Sequence, residues 1–143
     1  KAGEHYVTSE LLFRGYNASI MSVDVGMDII ATKNNKLLSL QVKTSNWHKR
    51  TNSYVFDMRT VALERDYAGN VFYVFVMLHT DGTKSALILP TAKIDELMHS
   101  NAIKAIQNKE RFRVTLKIRK DQIYIGTLDN PIDYFWNNWG CIK

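Results

Sequence analysis

The sequence predicts an α+β (α/β-class) fold in one domain, a mixed β-sheet flanked by helices. Three observations carry this. Residues 2–14 read as a helix stopped by Gly15. "VFYVFVML" at 71–78 is a fully apolar run of strand length. "RFRVTLKIR" at 111–119 alternates strictly between apolar and basic side chains, the pattern of a half-buried strand.

Taken in order, the first helix places Glu4, Val7, Thr8, Leu11 and Leu12 at i, i+3, i+4, i+7 and i+8, one helical face. An acid at Glu4 therefore continues the stripe expected to meet the core. Gly15 supplies a left-handed stop. Short strands follow at about 17–22, 28–33, 37–43 and 53–58, the last two separated by the polar, basic loop "SNWHKRTN". "RTVALERDYAG" at 59–69 fits a short helix or an irregular connection. The apolar run is expected to form a strand over 71–79, and "TDGT" turns it into another over 84–89. After Pro90, "TAKIDELMHSNAIKAIQNK" predicts one or two helices with Thr91 as N-cap. In "RFRVTLKIR", Phe112, Val114, Leu116 and Ile118 share one face, and Arg111, Arg113, Lys117 and Arg119 the other. "QIYIG" is expected to pair with that strand, and "NPIDYFWNNWG" closes the chain as an aromatic helix or turn, with Trp136 and Trp139 assigned to core or a dimer interface. No repeat, low-complexity stretch or linker divides residues 1–143, which are expected to be a single domain.

Composition narrows the function. With 45% hydrophobic and 23% charged residues the chain reads as an ordinary globular protein. Its longest apolar run is far too short to cross a bilayer, so no membrane role is expected. A single cysteine, Cys141, rules out an internal disulfide and a multi-cysteine zinc site. No signal peptide is visible, and the expected location is the cytoplasm. The net charge of +5 points weakly to polyanions. Lys104–Lys120 holds seven basic residues against the single acid Glu110, a distribution suited to nucleic acid or to a solvated face.

The stretch "SVDVGMDIIATKNNKLLSLQVKTS" (22–45) is the most informative. If Asn34–Asn35 forms a two-residue hairpin loop, for which Asn tolerates the positive φ required, facing residues sum to 69. Asp28 then opposes Gln41, and Gly26 opposes Lys43. Alternation sets Asp28, Gln41 and Lys43 on one face and Ile29, Ala31, Leu38, Leu40 and Val42 on the other. Directly opposed side chains start ~4.5–5.5 Å apart at Cβ, close enough for their oxygens to share a hard cation such as magnesium. The same spacing also fits an ordinary charged strand end.

These residues resemble the PD-(D/E)xK nuclease superfamily, with its restriction-endonuclease-like core. "GEHYVTSELLFRGY" is similar to its first helix, "GMDIIA" to its Asp strand and "LLSLQVKTS" to its (Glu/Gln)-x-Lys strand. The likeness covers roughly the first 45 residues and is to Holliday-junction-resolvase-like, restriction and homing endonuclease members. Met27 stands where Pro is usual, and Gln41 where Glu is usual, which removes one negative charge. The resemblance implies a metal-dependent DNA endonuclease. Its catalytic residues would be Glu4, Asp28, Gln41 and Lys43. Mg²⁺ or Mn²⁺ would be held by Asp28, the Gln41 side chain, the Val42 carbonyl and Glu4. It further implies DNA as partner, a homodimer and no small-molecule cofactor. Thr44 and Ser45 are candidate phosphate contacts. Trp47, His48, Lys49 and Arg50 combine an aromatic with cations, as base stacking or groove insertion would use. Arg111, Arg113 and Lys117 are further candidate nucleic-acid contacts. Asp24, Asp57 and Glu64 are weaker acid candidates, and the four histidines show no ligand spacing. Two other classes remain open: a nuclease-fold domain that binds without cutting, favoured by Gln41, and an assembly protein using the aromatic C-terminus.

Overall fold

The computed structural model describes residues 1–22, 26–60, 69–106, 108 and 110–142. The expectation for "RTVALERDYAG" falls largely on 61–68, and Asp24 and Glu64 likewise lie outside the described residues.

Helix α1 (Ala2–Phe13) is followed by strands β1 (Asn17–Ile20), β2 (Ile29–Lys33), β3 (Lys36–Asn46), β4 (Tyr54–Arg59), β5 (Val71–Leu78) and β6 (Lys84–Pro90). Helix α2 (Thr91–His99), β7 (Lys104–Ile106), β8 (Arg111–Arg119), β9 (Gln122–Ile125) and two 3₁₀ turns (Asp133–Phe135, Trp139–Cys141) complete the chain. The strands form two sheets where one was expected. The larger has the order β1-β2-β3-β5-β6 and is mixed, because β3 and β5 run parallel. In the smaller, β8 is flanked by β4 on one edge and by β7 and β9 in tandem on the other.

The large sheet is the middle layer, and β5 shows why its sequence is apolar without alternation. Tyr73, Phe75 and Met77 face the smaller sheet and α2, while Phe72, Val74 and Val76 face α1. A strand buried on both faces has no polar side to encode. The smaller sheet supplies Tyr54, Phe56, Met58, Phe112, Val114, Leu116, Ile123 and Ile125 to the first of these cores. The other core joins Val7 and Leu11 of α1 to Ile29, Ala31, Leu38, Leu40 and Val42, the whole aliphatic face expected of the hairpin. The C-terminal segment covers the edge of β6: Asn137 donates from its N–H to the Ala86 carbonyl at 2.7 Å, and its Oδ1 accepts from Ala86 N–H at 2.8 Å. Trp139 and Ile142 fill the core beneath.

Three expectations are corrected. Helix α1 rests on the sheet along Gly3, Val7 and Leu11, so Leu12, about 100° further round, is 51% exposed instead of buried. Thr91 is the first residue of α2, and the extended Pro90 is its N-cap. The helix expected to continue toward 109 stops at Asn101, whose φ of +62° turns the chain; the N–H groups of Ala102 and Ile103 both fold back onto the Leu97 carbonyl, and Lys104–Ile106 pairs with β8 as a strand. Among the described residues, no helix is long and apolar enough to cross a membrane.

Candidate active site

The predicted hairpin register holds through most of its length. Asn34 and Asn35 adopt φ of +51° and +62°, and the ladder runs from Lys33–Lys36 to Ile29–Leu40, each pair summing to 69. It departs at Asp28. Instead of pairing with Gln41, Asp28 directs its N–H to the Leu40 carbonyl at 3.0 Å. Asp28 and Ile29 thus both face Leu40, the pattern of a β-bulge. The ladder consequently never reaches Gly26, which turns at φ +85°, so the expected opposition of Gly26 and Lys43 does not form.

This departure makes the site. Strand β3 outruns β2, so among the described residues the edge of residues 41–46 has no strand partner on that side. Because Lys36, Leu38 and Leu40 direct their backbone groups toward β2, the next even residue, Val42, aims its N–H and C=O at the same open edge. The Asp28 carboxylate takes the place of the missing strand: Oδ2 accepts the Val42 N–H at 2.6 Å. The bulge thereby draws Asp28 across the end of the hairpin. Gln41 and Lys43 project on the face toward β4, and Glu4 arrives from α1 on the opposite face. Gly3 lets helix α1 lie close, since a Cβ there would meet the Thr44 hydroxyl and force that side chain to turn.

The result is a cleft of about 300 Å³ lined by Glu4, Asp28, Gln41, Val42, Lys43, Asp57, Met58, Arg59 and Arg111. All four residues expected to be catalytic, and the Val42 backbone, therefore share one cavity. Glu4 is 19% exposed. The Gln41 amide oxygen is buried and, among the described residues, has no hydrogen-bond partner. An unsatisfied buried acceptor costs ~1–3 kcal/mol, so this oxygen is available to accept from a water or to bind a cation. The donors offered are two carboxylates, an amide oxygen and a backbone carbonyl, all hard oxygens of the kind Mg²⁺ takes. Among the described residues there is no cluster of three or more His, Cys, Asp and Glu.

The wall facing these donors is basic. Asp57 and Arg113 oppose each other across β4 and β8, and Arg113 grips both carboxylate oxygens, at 2.8 and 3.0 Å. The Arg113 bond chiefly holds the Asp57 carboxyl below its ordinary value, with Arg111 and Lys43 adding to the effect.

The remaining candidate contacts are dispersed. Thr44 lines a small adjoining pocket with Lys1, Glu4, Val42 and Lys43. Ser45 is 7% exposed, its hydroxyl donating to the Asn46 carbonyl and accepting from Val55 N–H. Trp47 packs edge-on against Tyr54, ring centres 5.2 Å apart, and lies against the core. Lys49 and Arg50 are exposed in the loop closed by the His48–Ser53 bridge. Arg111 lies on the cleft, whereas Lys117 lies further along β8 opposite Tyr124. Sequence reading missed Arg59 altogether. Its only signal is a position opposite Arg111, and that exists only once β4 and β8 pair.

No family model and no curated protein matches the chain. Among solved structures, a bacterial homing endonuclease matches with a TM-score of 0.65 over 99% of this chain and 88% of its own, at 18% identity. A Holliday junction resolvase from the archaeal hyperthermophile Archaeoglobus fulgidus matches at 12% identity and TM-score 0.48, covering 78% of this chain and 80% of its own. A nuclease from a fusselovirus matches at 16% identity and TM-score 0.49, covering 78% and 74%. The first of these likenesses shows a shared fold.

Proposed function

We propose that this chain is a metal-dependent endonuclease hydrolysing DNA phosphodiester bonds, with Gln41 where enzymes of the PD-(D/E)xK type usually carry Glu. The observation that carries this reading is the orphaned Gln41 oxygen, buried in a cleft beside Glu4, Asp28 and the open Val42 edge. The endonuclease fold supports it by analogy only.

Glu4, Asp28, the Gln41 amide oxygen and the Val42 carbonyl would hold Mg²⁺ (or Mn²⁺). Bound there, the ion supplies neutralisation of charge at the scissile phosphate and a lowered pKa for a water. The chain's own groups do the rest. Asp28 holds the β3 edge in place through Val42 N–H, so one carboxylate both shapes the site and charges it. Lys43, exposed on the same strand two residues on from Gln41, would orient the attacking water and, as an ammonium, offset charge on the phosphate. Arg111 on the cleft, and Lys49, Arg50 and Lys117 further from it, would add to the positive charge a duplex meets. Arg113 contributes less to it, since Asp57 neutralises its charge.

A homodimer accompanies this reading. Leu12 and Phe13 (51% and 86% exposed) end α1, and Leu37 (55% exposed) follows the hairpin turn. The Lys33 ammonium bonds the Arg14 carbonyl, so both groups lie at one end of the molecule, where a second copy would cover them.

Supercoiled and branched DNA incubated with Mg²⁺ or Mn²⁺ tests the proposal. Wild type should nick, and Lys43→Ala should lose 100-fold or more, of the order expected for a group acting on the transition state (about 10²–10⁴). Nicking that survives in Lys43→Ala sinks the site. A second reading, binding without cutting, is favoured by the charge missing at Gln41. If wild type binds but does not cut while Gln41→Glu cuts, that reading replaces the first.

A further inference from the structure

The basic wall of the cleft contains a pairing that folding alone does not favour. Arg59 ends β4, Arg111 begins β8, and the register sets them directly opposite. Beyond them the Thr60 N–H donates to the Glu110 carbonyl at 3.0 Å. Arg59 and Arg111 are thus the adjoining non-hydrogen-bonded pair, in which Cα atoms stand ~4.5 Å apart and side chains are closest. Like charges directly opposed destabilise a sheet. Among the described residues neither guanidinium is in an ion pair. Asp57, two residues before Arg59 on the same face, would be the natural partner, but both its oxygens are held by Arg113. Among the described residues the wall therefore carries two guanidinium groups outside any ion pair, Arg111 being near enough to Asp57 only to help hold its carboxyl low.

The backbone beneath the pair is fixed. The Tyr73 hydroxyl donates to the Arg59 carbonyl at 3.2 Å, and the Thr60 hydroxyl joins its own N–H on the Glu110 carbonyl. Both arginines line the cleft that Glu4, Asp28 and Gln41 line from the other side. Two forked donors converging from adjacent strands suit an anion with oxygens in several directions, and guanidinium geometry matches phosphate.

The geometry points to Arg59 and Arg111 as a two-arginine clamp for a single phosphodiester group of a nucleic-acid backbone, facing the oxygen-donor wall. The identity of the anion rests on the nuclease reading; the existence of an anion site does not. The like-charge pair is tolerated because the ligand compensates it.

The test uses Arg59→Gln, Arg111→Gln and the double variant in two experiments. In thermal unfolding with inorganic pyrophosphate as probe and no divalent metal, wild type should gain in Tm and the double variant should not. Without anion, the double variant should melt no lower than wild type. An equal response to pyrophosphate overturns the clamp. In the second experiment, DNA-duplex affinity is followed in calcium between about 50 and 200 mM salt, where log affinity falls by ~0.9 per neutralised phosphate for each log unit of salt. The double variant should flatten that slope by about one, and the single effects should be non-additive, as expected when two groups share a ligand. An unchanged slope overturns the clamp, and a flattening of about two with additive singles overturns the sharing of one phosphate. A wild type that answers pyrophosphate through these arginines but binds no DNA overturns the nuclease reading and leaves the anion site standing.

Discussion

Asp28 has two jobs that two substitutions separate. Its Oδ2 satisfies the Val42 N–H at 2.6 Å on an edge that has run out of strand, and its charge serves the proposed chemistry. Asp28→Ala removes both. A hydrogen bond to a charged acceptor contributes about 1.5–3 kcal/mol, and leaving the donor unsatisfied costs ~1–3 kcal/mol. The pair is half-buried, so the loss should be near 2 kcal/mol. At about 2–4 °C per kcal/mol for a chain near this size, Tm should fall by roughly 4–8 °C. Asp28→Asn keeps an oxygen for Val42 and loses only the charge assistance, about half the bond's strength; its Tm should fall about half as much. Both should lose nicking. Thermal unfolding beside a plasmid-nicking assay reads the two jobs separately. If Asp28→Ala and Asp28→Asn are equally stable, Asp28 does not replace the missing strand, and the account of how the bulge builds the site fails.

Two further outcomes are expected. Because Arg113 holds the Asp57 carboxyl low, its contribution is fully present above the ordinary value of 3.8 and is lost as pH falls through the lowered one. Both side chains are more than a third exposed, so Asp57→Asn should cost no more than ~1 kcal/mol; urea unfolding should show that gap steady near neutrality and closing below 3.8. Phe13→Asp should halve the mass seen by sedimentation without lowering Tm by more than the dimer's own contribution; an unchanged mass removes the proposed contact at the end of α1.

The local elements were legible because their signals are local. Paired asparagines fit a turn needing positive φ twice, Gly15 ends a helix at φ +84°, and strict alternation in "RFRVTLKIR" marks one wet and one dry face. The register from Lys33–Lys36 to Ile29–Leu40 followed from the turn alone, whereas the bulge that brings Asp28 to the site did not. The fate of "AIKAIQNK" was harder. Its composition suits a helix, but Asn101 turns the chain and the free edge of β8 captures Lys104–Ile106, a competition no local pattern records.

By itself, then, the sequence determined a mixed α+β fold, the hairpin with its aliphatic face, and the four side chains that line the cleft. Tertiary structure alone decided that β3 outruns β2, that Asp28 bulges across the gap, and that the Gln41 amide oxygen has no hydrogen-bond partner among the described residues. It also decided that Arg59 meets Arg111. The reason is that side-chain periodicity is a property of neighbours along the chain, whereas an open strand edge and a like-charge pair arise between segments that meet only on folding.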